Sequence, residues 1–199
     1  MFLNDIGQPL ILDSSKSPLN GKINGPLLLT SAAFKDFEIP KDWRPNVIGS
    51  EEDVFRFQSL QKFETTDCPF EKLKLNESIN LEIEATKIRL TLIHCGKSHD
   101  GLISRIYYLE NGVSRIVIMD HAPAYLDFIP KANASFHTGL NLGIDVLFLD
   151  DESLTDNLNE DLYQFVHLLK PKNIYGLRKK DLPNWLLGLR RCKDIYARP

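Results

Sequence analysis

The chain has 199 residues, of which 43% are hydrophobic and 26% charged, with a formal net charge of −3. That balance excludes the low-hydrophobicity, high-charge range in which chains stay unfolded. The slightly negative total argues against nucleic acid as a partner.

No apolar run approaches the roughly 18 residues that a membrane helix needs. The N-terminal stretch Met1-Phe2-Leu3-Asn4-Asp5 places a carboxylate where a signal peptide carries positive charge, and Gly7 and Pro9 interrupt its apolar run. Cys68, Cys95 and Cys192 stand far apart without C-x-x-C spacing, which favours a reducing compartment over a disulfide framework. The expectation is one soluble, cytoplasmic domain over 1–199, with no membrane association.

Short apolar runs bounded by turn residues open the chain: Pro9-Leu10-Ile11-Leu12-Asp13, then Leu27-Leu28-Leu29-Thr30 after Gly25-Pro26, then Pro45-Asn46-Val47-Ile48-Gly49. Each reads as a buried strand. Glu51-Glu52-Asp53 begins a helix to about Phe63, with acidic residues where the helix dipole favours them. From Phe70 to Ile118 the period changes to two, and the spacing predicts an antiparallel meander. Its clearest turn is Asn111-Gly112, a hairpin signal between two alternating runs.

The helical period then returns. Asp145-Val146-Leu147-Phe148-Leu149-Asp150 is an apolar strand ending in two carboxylates. Asn159 to Leu169 is an amphipathic helix with Leu162, Phe165, Val166 and Leu169 on one face, stopped by Pro171. Asn173-Ile174-Tyr175-Gly176 follows as a strand, and Leu182 to Leu187 can start a last helix. Residues around His137 read as a loop. A mixed sheet with helices outside suits an αββα sandwich.

Few residues offer chemistry. There is no Gly-rich phosphate loop and no G-x-S-x-G, and His94-Cys95 are strand neighbours whose side chains face opposite ways. Cys95 therefore reads as a small core residue. His94 reads either as a hydrogen-bonded strand end or as a ligand, and Asp120 either as a turn cap before Pro123 or as a ligand. His99-Asp100-Gly101 has the look of a turn, and His167 lies beside the apolar face of its helix. Asp150 is either a solvated strand end or a binding residue beside Asp120. The basic cluster Arg178-Lys179-Lys180, Arg190, Arg191 and Lys193 reads as a solvated face.

The order of these elements and their strand ends resembles the metallo-β-lactamase superfamily over about residues 9–180, nearest the branch of tRNA-3′-processing nucleases and a cyclic-phosphate diesterase. Leu10-Ile11-Leu12-Asp13 resembles the first strand ending in Asp, and residues 27–36 occupy the place of the Thr-His-x-His-x-Asp-His metal motif. Leu90-Thr91-Leu92-Ile93-His94 resembles the strand with a lone metal-binding His, and Arg105 to Asp120 the hairpin ending in a bridging Asp.

The resemblance implies a metallo-β-lactamase-like αββα sandwich, α/β with mixed sheets, lacking the usual first hairpin. It also implies that His94 and Asp120 converge at one sheet edge as remnants of a metal site, with Asp36, His99 and His121 as further candidates. The departures are large. Ser31, Ala33 and Asp36 stand near the places of the motif's histidines, Lys35 replaces its catalytic Asp, and Gly176 falls at the last His. Two metals about 3.5–4 Å apart, each with about three protein ligands, need more donors than this. The sequence thus leads to a degenerate domain acting by binding or assembly, with no cofactor, as a homodimer or with another protein subunit. The alternative is a phosphodiester hydrolase with zinc or another divalent metal at an unusual or mononuclear site.

Overall fold

The computed structural model describes residues 11–12, 25–30, 46–60, 69–83, 85–97, 103–120, 132, 134–150, 153–177 and 181–189. Side chains are described at all of these except Ile11, Leu12, Leu60, residues 95–97, 103, 104 and 120. The elements run β1 (Ile11–Leu12), β2 (Leu27–Leu28), β3 (Val47–Ser50), α1 (Glu51–Leu60), β4 (Phe70–Leu73), β5 (Ser78–Ile83), β6 (Thr86–Lys97), β7 (Ile103–Glu110), β8 (Arg115–Asp120), α2 (Ala134–Leu142), β9 (Val146–Leu149), α3 (Glu160–Leu169) and β10 (Asn173–Gly176). Residues 184–189 are helical. Two compact units divide the chain, 1–92 and 93–199, with β6 running through the division.

The first unit carries a parallel sheet in the order β1-β2-β3-β4. Leu27, Leu28, Val47 and Ile48 are fully buried, as parallel strands covered on both faces require. Helix α1 packs on β3 and β4 through Val54 and Phe57. Its start is fixed by a reciprocal cap: the Asp53 N–H donates to Ser50 Oγ at 3.0 Å, and that hydroxyl donates to Asp53 Oδ2 at 2.7 Å.

Phe70–Leu73 does not begin the antiparallel meander, as its alternation suggested. It pairs parallel with β3, Val47 opposite Phe70. Period-two alternation reports one buried face and is silent on the direction of the neighbour. The helix lying between β3 and β4 is the crossover a parallel pair needs, and that was the stronger signal. The meander starts one strand later, where β5 and β6 pair antiparallel from Ser78–Thr91 to Ile83–Thr86.

The six-stranded sheet has the order β10-β9-β8-β7-β6-β5. Strands β7 and β8 form the expected hairpin. Asn111 Oδ1 accepts from the N–H groups of Val113 (3.0 Å) and Ser114 (2.8 Å), and Gly112 takes φ +82°. From β8 onwards the pairing is parallel, β8 with β9 and β9 with β10, so the chain is α/β with mixed sheets. Ile93, Ile106, Val117, Met119, Leu147 and Leu149 form one face of a core closed by Phe136 of α2 and by Leu162, Phe165, Val166 and Leu169 of α3. Asn159 caps α3, accepting from the Leu162 N–H at 3.0 Å. Lys170 ends it in the left-handed region (φ 47°), its N–H donating to the Val166 carbonyl, one residue before Pro171.

Helix α2 replaces the loop expected around His137. Its Ser, Thr, Gly and Asn are weak helix formers, so packing decides. The Phe136 ring meets Tyr108 edge-on at 5.5 Å. Gly139 sits so close to the Tyr108 hydroxyl that a Cβ there would overlap it. That hydroxyl donates to Glu110 Oε2 at 3.0 Å, and burial, with the Glu110 carboxylate next, pushes its pKa well above the usual value.

Candidate functional site

Strand directions define the site. Strands β6 and β7 are neighbours joined by residues 98–102, far too short a connection for a parallel crossover, so they run antiparallel. Strands β6, β8, β9 and β10 therefore all end along one edge, the carboxyl edge of the sheet. Ile93, Ile106, Met119 and Leu149 belong to the core beneath α2 and α3. Alternation then assigns His94 and Arg105 to the opposite face.

Register sets their heights. Arg105 is directly opposite Asp120. Ile118 is opposite Phe148 in the parallel pair, so Asp120 and Asp150, each two residues further on, stand level at the carboxyl edge. His94 is on β6 with β7 between it and β8, which puts its backbone roughly 9–10 Å or more from that of Asp120. Asp120 thus ends β8 and Asp150 follows β9 at one sheet edge, while His94 lies on β6, three positions before its last residue, Lys97. Asp36, His99 and His121 lie outside the described residues, as does the side chain of Asp120.

Asp150 is not a solvated strand end. It is buried, and its carboxylate is closed on the following turn: Oδ1 accepts from the Ser153 N–H at 2.7 Å and Oδ2 from the Ser153 hydroxyl at 2.9 Å. His94 is half-buried and does not lack a partner. His137 is exposed on α2, and His167 is exposed on α3 with its ring beside Tyr163 at 6.4 Å. Neither approaches the edge as part of a cluster: among the described residues no group of three or more His, Cys, Asp or Glu side chains is placed to hold a metal ion. The described donors do not fit a binuclear centre.

Two residues of this edge escaped the sequence reading. Arg105 is only 5% exposed. Its signal was a charge entering a strand in which Ile106, Tyr107, Tyr108 and Leu109 are apolar on both faces. Ser153 gave no signal beyond its position three residues after a strand-end Asp, the spacing of an Asx cap.

No family model matches the sequence, and no curated protein matches it. Among solved structures, the metallo-β-lactamase fold protein YhfI from Bacillus subtilis aligns over 86% of this chain and 70% of its own, at 11% identity and a TM-score of 0.49. Unliganded yeast PDE1 aligns over 86% of this chain at 11% identity with a TM-score of 0.53. The fold is metallo-β-lactamase-like. This chain spans 63% of the length of yeast PDE1, and identity this low carries the fold alone. The short form of human tRNase Z, ELAC1, aligns over 84% of this chain and 80% of its own, at 13% identity and a TM-score of 0.46. Within the metallo-β-lactamase-like fold the carboxyl edge holds His94, Arg105, Asp120 and Asp150, a donor set with one guanidinium and one carboxylate already closed on a hydroxyl.

Proposed function

We propose that this metallo-β-lactamase-like domain acts by binding or assembly and has no binuclear hydrolytic centre. The closure of Asp150 on Ser153 carries this reading: a carboxylate at the edge where a ligand would sit is spent on the loop. Residues Ser31, Ala33 and Lys35 support it, since hydroxymethyl, methyl and ammonium groups replace the imidazoles and carboxylate of the resembled motif. The test is plasma-emission analysis of protein purified without chelator. Less than about one equivalent of zinc, manganese or iron is expected, because structural metals bind tightly only to a complete ligand set. Two equivalents, lost in His94→Ala or Asp120→Ala, would instead establish the reading of a phosphodiester hydrolase with an unusual site, for which the retained His94 and Asp120 are the motive.

The partner we propose is a second copy or another protein subunit. Strand β1 ends the order of the first sheet and pairs, among the described residues, with β2 on one side. Parallel edges of Ile and Leu invite strand addition unless covered. Light scattering at micromolar concentration should return at least a dimer. A monomer that keeps its mass and solubility in Ile11→Lys would remove the assembly part of the proposal.

A further inference from the structure

The turn between β7 and β8 holds the Asn111 side chain in a conformation that prepares its amide to react. The amide oxygen Oδ1 accepts from the Val113 N–H at 3.0 Å and from the Ser114 N–H at 2.8 Å. To reach donors two and three residues ahead, the side chain must curl forward over Gly112, which carries its amide carbon Cγ towards the Gly112 nitrogen. Gly112, at φ +82°, has no side chain to block that approach, and nothing lies within 4 Å of where a Cβ would stand. Val113 beside it is 85% exposed, so solvent reaches the turn. An amide carbon under attack puts negative charge on its oxygen. Backbone N–H groups aimed at that oxygen are what stabilise such an oxyanion in acyl-transfer enzymes.

We propose that Asn111 is a self-modification site, at which the hairpin turn promotes conversion of the side-chain amide, through a cyclic imide with Gly112, into aspartate and isoaspartate. The Gly112 nitrogen gives up its proton to solvent base and bonds to Cγ, with the developing charge on Oδ1 held by the Val113 and Ser114 N–H groups. The Cγ–Nδ2 bond then breaks, and Nδ2 takes up a proton and leaves as ammonia. Water opens the imide at either carbonyl. The aspartate product keeps an oxygen for both donors and adds a negative charge next to Glu110. The isoaspartate product also adds a carbon to the backbone, inside the turn that the Asn111 N–H closes on the Ser114 carbonyl at 3.3 Å.

The test is ageing of the purified protein in mildly alkaline buffer beside a synthetic peptide of residues 108–115, with both followed by mass spectrometry. Asn20-Gly21 and Asn24-Gly25 repeat the dipeptide, so conversion at Asn111 is read from its own proteolytic fragment. One oxyanion donor is worth a hundredfold or more in an enzyme, and in this open turn the folded protein should convert Asn111 about tenfold faster than the peptide does. Conversion at the peptide's rate or slower would overturn the proposal, because the two hydrogen bonds would then only restrain the side chain. Val113→Pro deletes one of the donors and should slow the folded protein's conversion several-fold; an unchanged rate in a folded variant would likewise overturn it. Should Val113→Pro fail to fold, the comparison of wild type with peptide decides alone.

Discussion

The two ends of the second sheet treat their charges in opposite ways. At the end where β8, β9 and β10 begin, Asp145 accepts from the Arg115 N–H at 2.8 Å and from Lys172 Nζ at 2.6 Å, with the lysine side chain 74% exposed. Arg115 adds a bond from Nη1 to the Gly143 carbonyl at 3.3 Å. This clamp joins strand starts, its lysine in water and its carboxylate only 16% exposed. At the carboxyl edge Asp150 and Arg105 are buried. An ion pair whose lysine stays in water costs little to lose, whereas a buried charge that loses its partner destabilises the fold strongly. Acids at a buried edge are costly to leave without partners. They must be closed by neighbours.

That contrast ranks the expected effects. Asp150→Ala removes two charge-assisted hydrogen bonds and leaves the Ser153 N–H to find another partner, which should cost about 3 kcal/mol in denaturant unfolding. Ser153→Ala keeps the backbone bond and should cost about 1 kcal/mol. Equal losses would mean that the hydroxyl, rather than the turn, is what Asp150 holds. At the clamp Asp145→Ala should cost about 1 kcal/mol, chiefly through the Arg115 N–H, and Lys172→Ala less than about 0.5 kcal/mol. A Lys172 effect as large as that of Asp150 would abolish the contrast.

Acid gives the smallest and most specific effect. Burial alone would raise the pKa of Asp145, but the Lys172 ammonium and the Arg115 N–H outweigh it and hold the carboxyl below its ordinary 3.8. A group depressed in the folded state adds stability that is complete above its unfolded value and disappears as the pH falls through the folded one. The contribution should therefore be lost only in acid below about pH 4. Comparing wild type with Asp145→Asn between pH 2 and 6 should show the two stability curves converge towards the acid end. Parallel curves would show that the carboxylate is not held in its charged form.

Much of the fold was legible because pattern and packing agree. The buried face of α3 is the set Leu162, Phe165, Val166 and Leu169 that its spacing dictates, and Asn111-Gly112 marks the β7–β8 turn. Helix α2 was hidden because its residues are poor helix formers, and what holds it is a ring contact and a close approach to Tyr108, 31 positions before Gly139 (139 − 108). The site was legible only as a row of acids and one imidazole. Asp120 and Asp150 advertise themselves at strand ends, whereas the serine that closes Asp150 does not. Arg105 becomes visible once register places it opposite Asp120, and Ser153 once the turn after β9 folds back on it.

Closure of this edge by the chain's own side chains has a direct consequence for metal binding. The most direct measurement is the melting temperature of the wild-type protein in EDTA and again with zinc in excess. Since a ligand stabilises only through binding to the folded state, a self-closed edge should give the same melting temperature in both. A rise of several degrees with zinc, reversed by EDTA and absent in Asp120→Asn, would contradict it.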